Sequence, residues 1–153
     1  MRYFMTMLAV LGLDLGTKKW VKKSLPSGGR KVIVKNHLYL RHIKNRGMAY
    51  NTFSGKRKAI LLSTAGLLSF YAALFAKAAF GSGNRRLAMP LAVILGGGLG
   101  NFLERLHKGA ATDFLYIKAK NAPVFNIADI ALMGGALWLA ERLWKTGGNR
   151  SFF

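Results

Sequence analysis

The sequence predicts a mainly α-helical membrane protein, with four transmembrane helices and one small extramembrane β element between the first two. Three observations carry that expectation. Hydrophobic residues make up 52% of the 153, and the mean hydropathy is +0.21, in a chain that also bears a formal charge of +19. The apolar residues gather into uncharged runs, of which 59–76 and 87–103 are 18 and 17 residues long, close to the roughly 20 that a bilayer requires. Between the first two runs lies a stretch that alternates apolar and polar residues. One integral membrane domain over 1–153 is expected, with approximate spans at 3–17, 59–77, 87–104 and 124–143.

The first span opens after Arg2 with YFMTMLAVLGL and meets Asp14 before Thr17, Lys18 and Lys19 close it. A basic start and an apolar middle also mark a secretory leader, but no small-x-small cleavage pattern follows, so an uncleaved first helix fits better. Residues 22–58 are polar and strongly basic, with a turn marked by Pro26 and the SGG at 27–29. In KVIVKNHLYLRHIKN, Val32, Val34, Leu38 and Leu40 fall at strand spacing. They predict a small sheet or hairpin lying on the membrane, interrupted by Asn45, Gly47 and Asn51. Lys77 ends the second span, and the short loop 81–86 carries Arg85 and Arg86. The third holds Pro90 and the GGGLG at 96–100, in which Gly96 and Gly100 allow close helix approach in lipid. Residues 105–125 read as a loop with short apolar pieces. The last span ends at Glu141 and Arg142, and its polar flank, 121–126, is expected to extend it to bilayer length.

A pI near 11.0 first points to nucleic acid. The basic residues lie between apolar runs, however, and no RNP-like aromatic motif or zinc-finger spacing is present, so nucleic acid is excluded and anionic lipid expected. The absence of cysteine removes disulfides, thiolate ligands and a Cys nucleophile together. There is no G-x-S-x-G elbow, and His37, His42 and His107 lack an H-E-x-x-H arrangement. Neither a Walker A nor a dinucleotide fingerprint occurs, and GGGLG lies inside a hydrophobic span. No metal or organic cofactor is implied.

The chain has only five acidic residues against 24 Lys and Arg, and three of the five fall within 96–129. With four spans, the first and third loops share one side of the membrane. Asp14, Glu104, Asp113 and Asp129 then collect there with Asn45, Asn101 and Asn126, leaving only Glu141 opposite, at a solvated helix end. Ionisable groups at membrane depth are costly and therefore functional candidates. Ordinary explanations exist for most of them. Asp14 can pair with Lys18 at a helix end; Glu104 and Arg105 can be an interfacial helix end; Asn126 can cap a helix with Asp129 in its first turn. None of these accounts for Asp113. Two carboxylates converging near an interface have the form of an aspartic-protease dyad, in which one shared proton leaves a base and an acid.

Four segments in order resemble the lipoprotein signal peptidase (signal peptidase II) family. DLGTKKWV at 14–21 is similar to its D-x-x-T-K-x-x-V, and NRGMAYN at 45–51 to its N-x-G-A-A-F. GNFLERLHKGAATDF at 100–114 is similar to G-N-x-x-D-R-x-x-x-G-x-V-x-D-F, and FNIAD at 125–129 to F-N-x-A-D. The resemblance implies a multi-pass aspartic endopeptidase of the bacterial inner membrane, with a small β-cradle and an active site at the outer face; a monomer is the default expectation, since one chain can build the site. Its substrates would be diacylglyceryl-modified prolipoproteins, cut just before the lipidated cysteine. Carried over by position, Asp113 and Asp129 would be catalytic. Asn45, Asn101, Arg105 and Asn126 would shape or polarise the site, with Asp14 and Lys18 supporting it.

The sequence departs from the family pattern in charge and at residues that include Glu104, Tyr50 and Ala111. Glu104 stands where Asp precedes Arg, Tyr50 replaces Phe, and Ala111 replaces Val. Of the 24 Lys and Arg, 17 fall on the side holding the site and seven on the other, which by the positive-inside rule would invert the family orientation. The basic first loop is expected instead to bind anionic headgroups and hold substrate at the surface. The alternative reading is a catalytically silent membrane relative that binds lipidated peptides or acts as an assembly partner.

Overall fold

A computed structural model describes residues 1–47, 52–53, 55–119 and 122–147. The family-like positions 48–51, Tyr50 among them, and the start of the 121–126 flank lie outside the described residues. In chain order the elements are α1 (Arg2–Ser24), β1 (Arg30–Val34), β2 (Leu38–Asn45), α2 (Arg57–Phe80), a short 3-10 turn (Arg85–Leu87), α3 (Ala88–Lys108), β3 (Ala111–Ile117), β4 (Val124–Phe125) and α4 (Ile127–Gly147).

Helix α3 is the hub, packing against α1, α2 and α4. Pro90 sits in its first turn, where a missing N–H costs no helix hydrogen bond. Gly109, with φ +72, ends it in the left-handed conformation, its N–H bonded to Arg105 O at 2.9 Å. The glycines in between set how close the neighbours come. A Cβ on Gly96 would lie 2.7 Å from Met7 O of α1, and one on Gly97 would lie 2.7 Å from Ala128 O of α4. A Cβ on Gly100 would overlap the Asp14 carboxylate. Backbones can approach this closely only where side chains are absent.

Among the described residues, two segments are long and apolar enough to cross a bilayer, Arg57–Phe80 and Arg85–Lys108. Helices α1 and α4, at 23 and 21 residues, have the length but carry more charge, so four spans are not established by length and composition. The two qualifying segments differ in burial: 67% of the apolar stretch of 85–108 is buried, against 11% in α2. Helix α2 therefore turns most of its apolar surface outward.

The strands form one antiparallel sheet in the order β1-β2-β3-β4. Asn36, with φ +65, turns the β1–β2 hairpin, a conformation asparagine tolerates well. Two expectations are corrected here. The β element is not confined to the stretch between the first two helices, because half of its strands come from the expected loop 105–125. The cause is burial: Ala111, Thr112, Asp113 and Phe114 are all buried, and β3 satisfies its backbone against β2. Nor does the flank at 124–125 extend α4, since Val124 and Phe125 pair with Tyr116 and Leu115. A third difference lies in α1, which runs through Lys18 to Ser24 instead of stopping near Thr17. Its last turns pack Lys18 and Val21 into the interior.

Candidate active site

Asn126 precedes the first residue of α4 and organises the polar centre. Its Oδ1 accepts from the Asp129 N–H at 3.0 Å, while Asp129 Oδ2 accepts from the Asn126 N–H at 3.0 Å. This reciprocal pair satisfies two otherwise orphaned donors at the helix start. With its oxygen committed to the cap, the amide must direct its NH2 group outward. It donates to Asp113 Oδ1 at 2.7 Å, with Asn101 Oδ1 and Thr112 O also within 3.3 Å.

Asp113 is placed by β3. The β2–β3 register sets Ile43 opposite Asp113 and Asn45 opposite Ala111, a diagonal neighbour within side-chain reach. Asn45 Nδ2 donates to Asp113 Oδ2 at 2.9 Å, and Asn45 Oδ1 accepts from the Gly47 N–H at 2.9 Å, which fixes the amide's orientation. Arg105 donates to Gly47 O at 2.9 Å and so braces the same turn.

Asn101 of α3 joins the second aspartate to the interior. Its Oδ1 accepts from Lys18 Nζ at 2.8 Å, and an ammonium can only donate, so Nδ2 is the group that faces Asp129 Oδ1, at 2.8 Å. Lys18 also holds Asp14 Oδ2 at 2.8 Å, and Asp14 Oδ1 accepts from the Ala128 N–H at 2.9 Å. The Asp14–Lys18 pair is thus fully buried in mid-helix, not at a helix end. Through Ala128 it grips the first turn of α4 as well.

Glu104 differs from the interfacial helix end expected of it. Only 4% exposed, it accepts from the Thr112 N–H at 2.8 Å and the Thr112 hydroxyl at 3.0 Å, and it pairs with Lys22. Lys18 and Lys108 lie 3.7 and 3.6 Å from its oxygens. The longer side chain reaches β3 and α1 together. Thr112 is the residue that sequence reasoning missed. It links Glu104 to the Asn126 amide, and its only signal is its place beside Asp113 in a buried strand.

Every expected site residue is therefore in one place. Asn45, Asn101 and Asn126 turn their amide N–H groups toward Asp113 and Asp129, Lys18 and Asp14 stand behind Asn101, and Arg105 braces Gly47. All four oxygens of the two aspartates accept a hydrogen bond from this set. Burial pushes the Asp113 carboxyl up to about 6, opposed by the Asn45 hydrogen bond, reinforced by the Asp129 charge, and partly offset by Asn126 and Arg105. Beside Asp129, Asn101 and Arg105, an apolar groove of about 260 Å³ runs between α2, α3 and α4 past Ile60, Leu67, Tyr71 and Leu132. Among the described residues, no cluster of His, Cys, Asp and Glu could hold a metal ion.

The fold is that of a bacterial membrane enzyme. One such enzyme, solved in meso at 2.3 Å, aligns over 99% of this chain and 93% of its own with a TM-score of 0.88 at 24% identity. A second, solved at 1.9 Å, gives 0.82 over 93% and 92%, also at 24% identity. The sequence carries the assignment further. Residues 6–145 match the family described as Signal peptidase (SPase) II. The lipoprotein signal peptidase of Clostridium novyi is 34% identical over 138 residues, spanning 88% of this chain and 92% of the relative. That of Xanthomonas oryzae pv. oryzae is 34% identical over 140 residues, spanning 86% and 81%. The chain belongs to the signal peptidase II family, and it is a peptidase.

Proposed function

We propose that the protein removes signal peptides from diacylglyceryl-modified prolipoproteins, cutting before the lipidated cysteine with Asp113 and Asp129 as the catalytic pair. One observation carries this: two carboxylates meet in a single network of asparagine amides at the end of an apolar groove. The groove suits an apolar peptide or acyl chain, and the polar end presents acid–base groups to the peptide bond. Family membership supports lipoprotein substrates.

In the reaction, one ionised aspartate takes a proton from water as the water oxygen attacks the scissile carbonyl carbon. The other, protonated, gives its proton to the carbonyl oxygen. Collapse of the resulting diol breaks the C–N bond: the leaving nitrogen takes the proton that the base drew from water, and a diol hydroxyl returns a proton to the other aspartate. A coupled pair titrates as a unit, so the two roles belong to the dyad and not to named members.

Four spans in one 1–153 domain of the bacterial inner membrane complete the reading, with the sheet and site at the outer face. Its support is the apolar exterior of the outer helices. Leu8 and Leu13 of α1, Leu62 and Phe70 of α2, and Met133 and Leu137 of α4 are each more than half exposed, an arrangement suited to lipid and not to water. One chain supplies every site residue, so a monomer suffices.

The test is cleavage of a diacylglyceryl-modified prolipoprotein by purified protein in detergent, beside Asp113→Asn and Asp129→Asn. Turnover is expected from the unsubstituted protein and from neither variant, with helical content retained in all three. Full turnover by either variant would sink the dyad. Absence of cleavage by the folded unsubstituted protein would instead favour a silent relative.

A further inference from the structure

The last turns of α1 and α3 enclose a second groove of about 500 Å³. It is lined by Leu15, Leu103, Glu104, His107 and five lysines, Lys18, Lys19, Lys22, Lys23 and Lys108. Its charges do not balance. Asp14 takes up Lys18, and the remaining carboxylate, Glu104, has Lys22 and Lys108 converging on one oxygen, Oε1. Lys19 and Lys23 have no ion pair among the described residues. Like charges this crowded repel, and an additional anion between them would relieve it.

The apolar residues supply direction. Leu15 lies four residues deeper along α1 than Lys19, and Leu103 five residues deeper along α3 than Lys108. At 1.5 Å per residue the cations stand roughly 6–8 Å above the leucines on both walls. Trp20, 58% exposed, stands beside the cationic rim of α1, at the level where indole rings collect in membranes. Cations above and leucines below match a phosphate attached to an acyl chain. The lipid of the substrate carries no phosphate, so it does not account for the cationic rim.

We infer that this α1–α3 groove is a binding site for an anionic phospholipid, with the phosphate among Lys19, Lys22, Lys23 and Lys108 and an acyl chain along Leu15 and Leu103. The inference rests on the membrane-spanning reading of the fold. It is narrower than attraction of the whole basic first loop to a charged surface, because it names one groove and its two walls.

The probe is Trp20 alone, in a Trp138→Phe/Trp144→Phe protein reconstituted into phosphatidylcholine vesicles. Small fractions of acyl-brominated phosphatidylglycerol or phosphatidylcholine are added, and quenching of Trp20 is recorded. Phosphatidylglycerol is expected to quench at a mole fraction about tenfold lower than phosphatidylcholine. Lys19→Gln/Lys23→Gln should abolish that preference, while Arg85→Gln/Arg86→Gln, an equal loss of charge at the other end of α3, should keep it. Equal quenching by both lipids overturns the site and leaves the membrane reading intact. No quenching by either lipid overturns both. Loss of the preference in both variants would reduce the effect to general charge attraction. Reversal by millimolar inorganic phosphate would show a free-phosphate site instead of a lipid site. The two-lipid comparison without the lysine substitutions stands even if that variant fails to fold.

Discussion

Asp113 is asked to be buried, to lie near a second carboxylate and to accept from two amides at once. Its folded value of about 6 against an ordinary 3.8 means that the folded state binds the proton more tightly. For a raised carboxyl, the stabilising contribution is present below pH 4 and is lost as pH rises through 6. Two units correspond to about 3 kcal/mol. Asp113→Asn removes the titration. It also carries one acceptor where two are needed, so it adds a cost that does not vary with pH. Unfolding followed in detergent from pH 4 to pH 7 should show the unsubstituted protein losing about 3 kcal/mol relative to Asp113→Asn. Parallel curves would mean that Asp113 titrates as it would in the unfolded chain. The same residue shows what sequence could and could not supply. Asp113 stood out because acids are scarce and no helix cap or surface pair explains it. That its neighbours Thr112 and Glu104 connect α1 to β3 is a tertiary fact, since positions 104 and 112 meet only when β3 folds back against α3.

At the level of elements, the apolar runs and glycines of α2 and α3 were legible because lipid and close packing leave strong patterns. The strands of 111–125 were not. Seven residues with four consecutive buried positions show no alternation, and what makes them a strand is the partner β2, distant in sequence. β1 was legible from its alternation, and its Val32 and Val34 are 50% and 49% exposed at the sheet edge. The helix contacts make a sharp pair of substitutions. Gly100→Ala drives a methyl into the Asp14 carboxylate, itself pinned by Lys18 and Ala128, and should cost roughly 1–3 kcal/mol and lower cleavage. Gly134→Ala meets open space in mid-helix and should stabilise by roughly 0.5–1 kcal/mol. Thermal midpoints in detergent would separate them, and equal shifts would contradict the close α1–α3 approach.

For the whole molecule, the proposed four-span reading turns on orientation, because it puts 17 of the 24 basic residues on the site's side. The cysteine-free sequence makes the test clean, since any introduced thiol is unique. Ser27 lies in the β1 approach and Ser82 between α2 and α3, both exposed. In intact cells, Ser27→Cys should react with a membrane-impermeant thiol reagent, and Ser82→Cys only after permeabilisation. The reverse pattern would invert the molecule, as the charge count alone requires.

The cap on α4 has a consequence for how the molecule comes into being. Asp129, the Asn126 amide that holds Asp113, and the Ala128 N–H that Asp14 grips all arrive with the last helix. Until that helix is made and seated, Asp113 has no partner acid and Asn101 no second carboxylate to meet. On the proposed reading of Asp113 and Asp129, a nascent or half-inserted chain is thus without a cutting centre, and the membrane around it is exposed to that centre only once the last helix is seated.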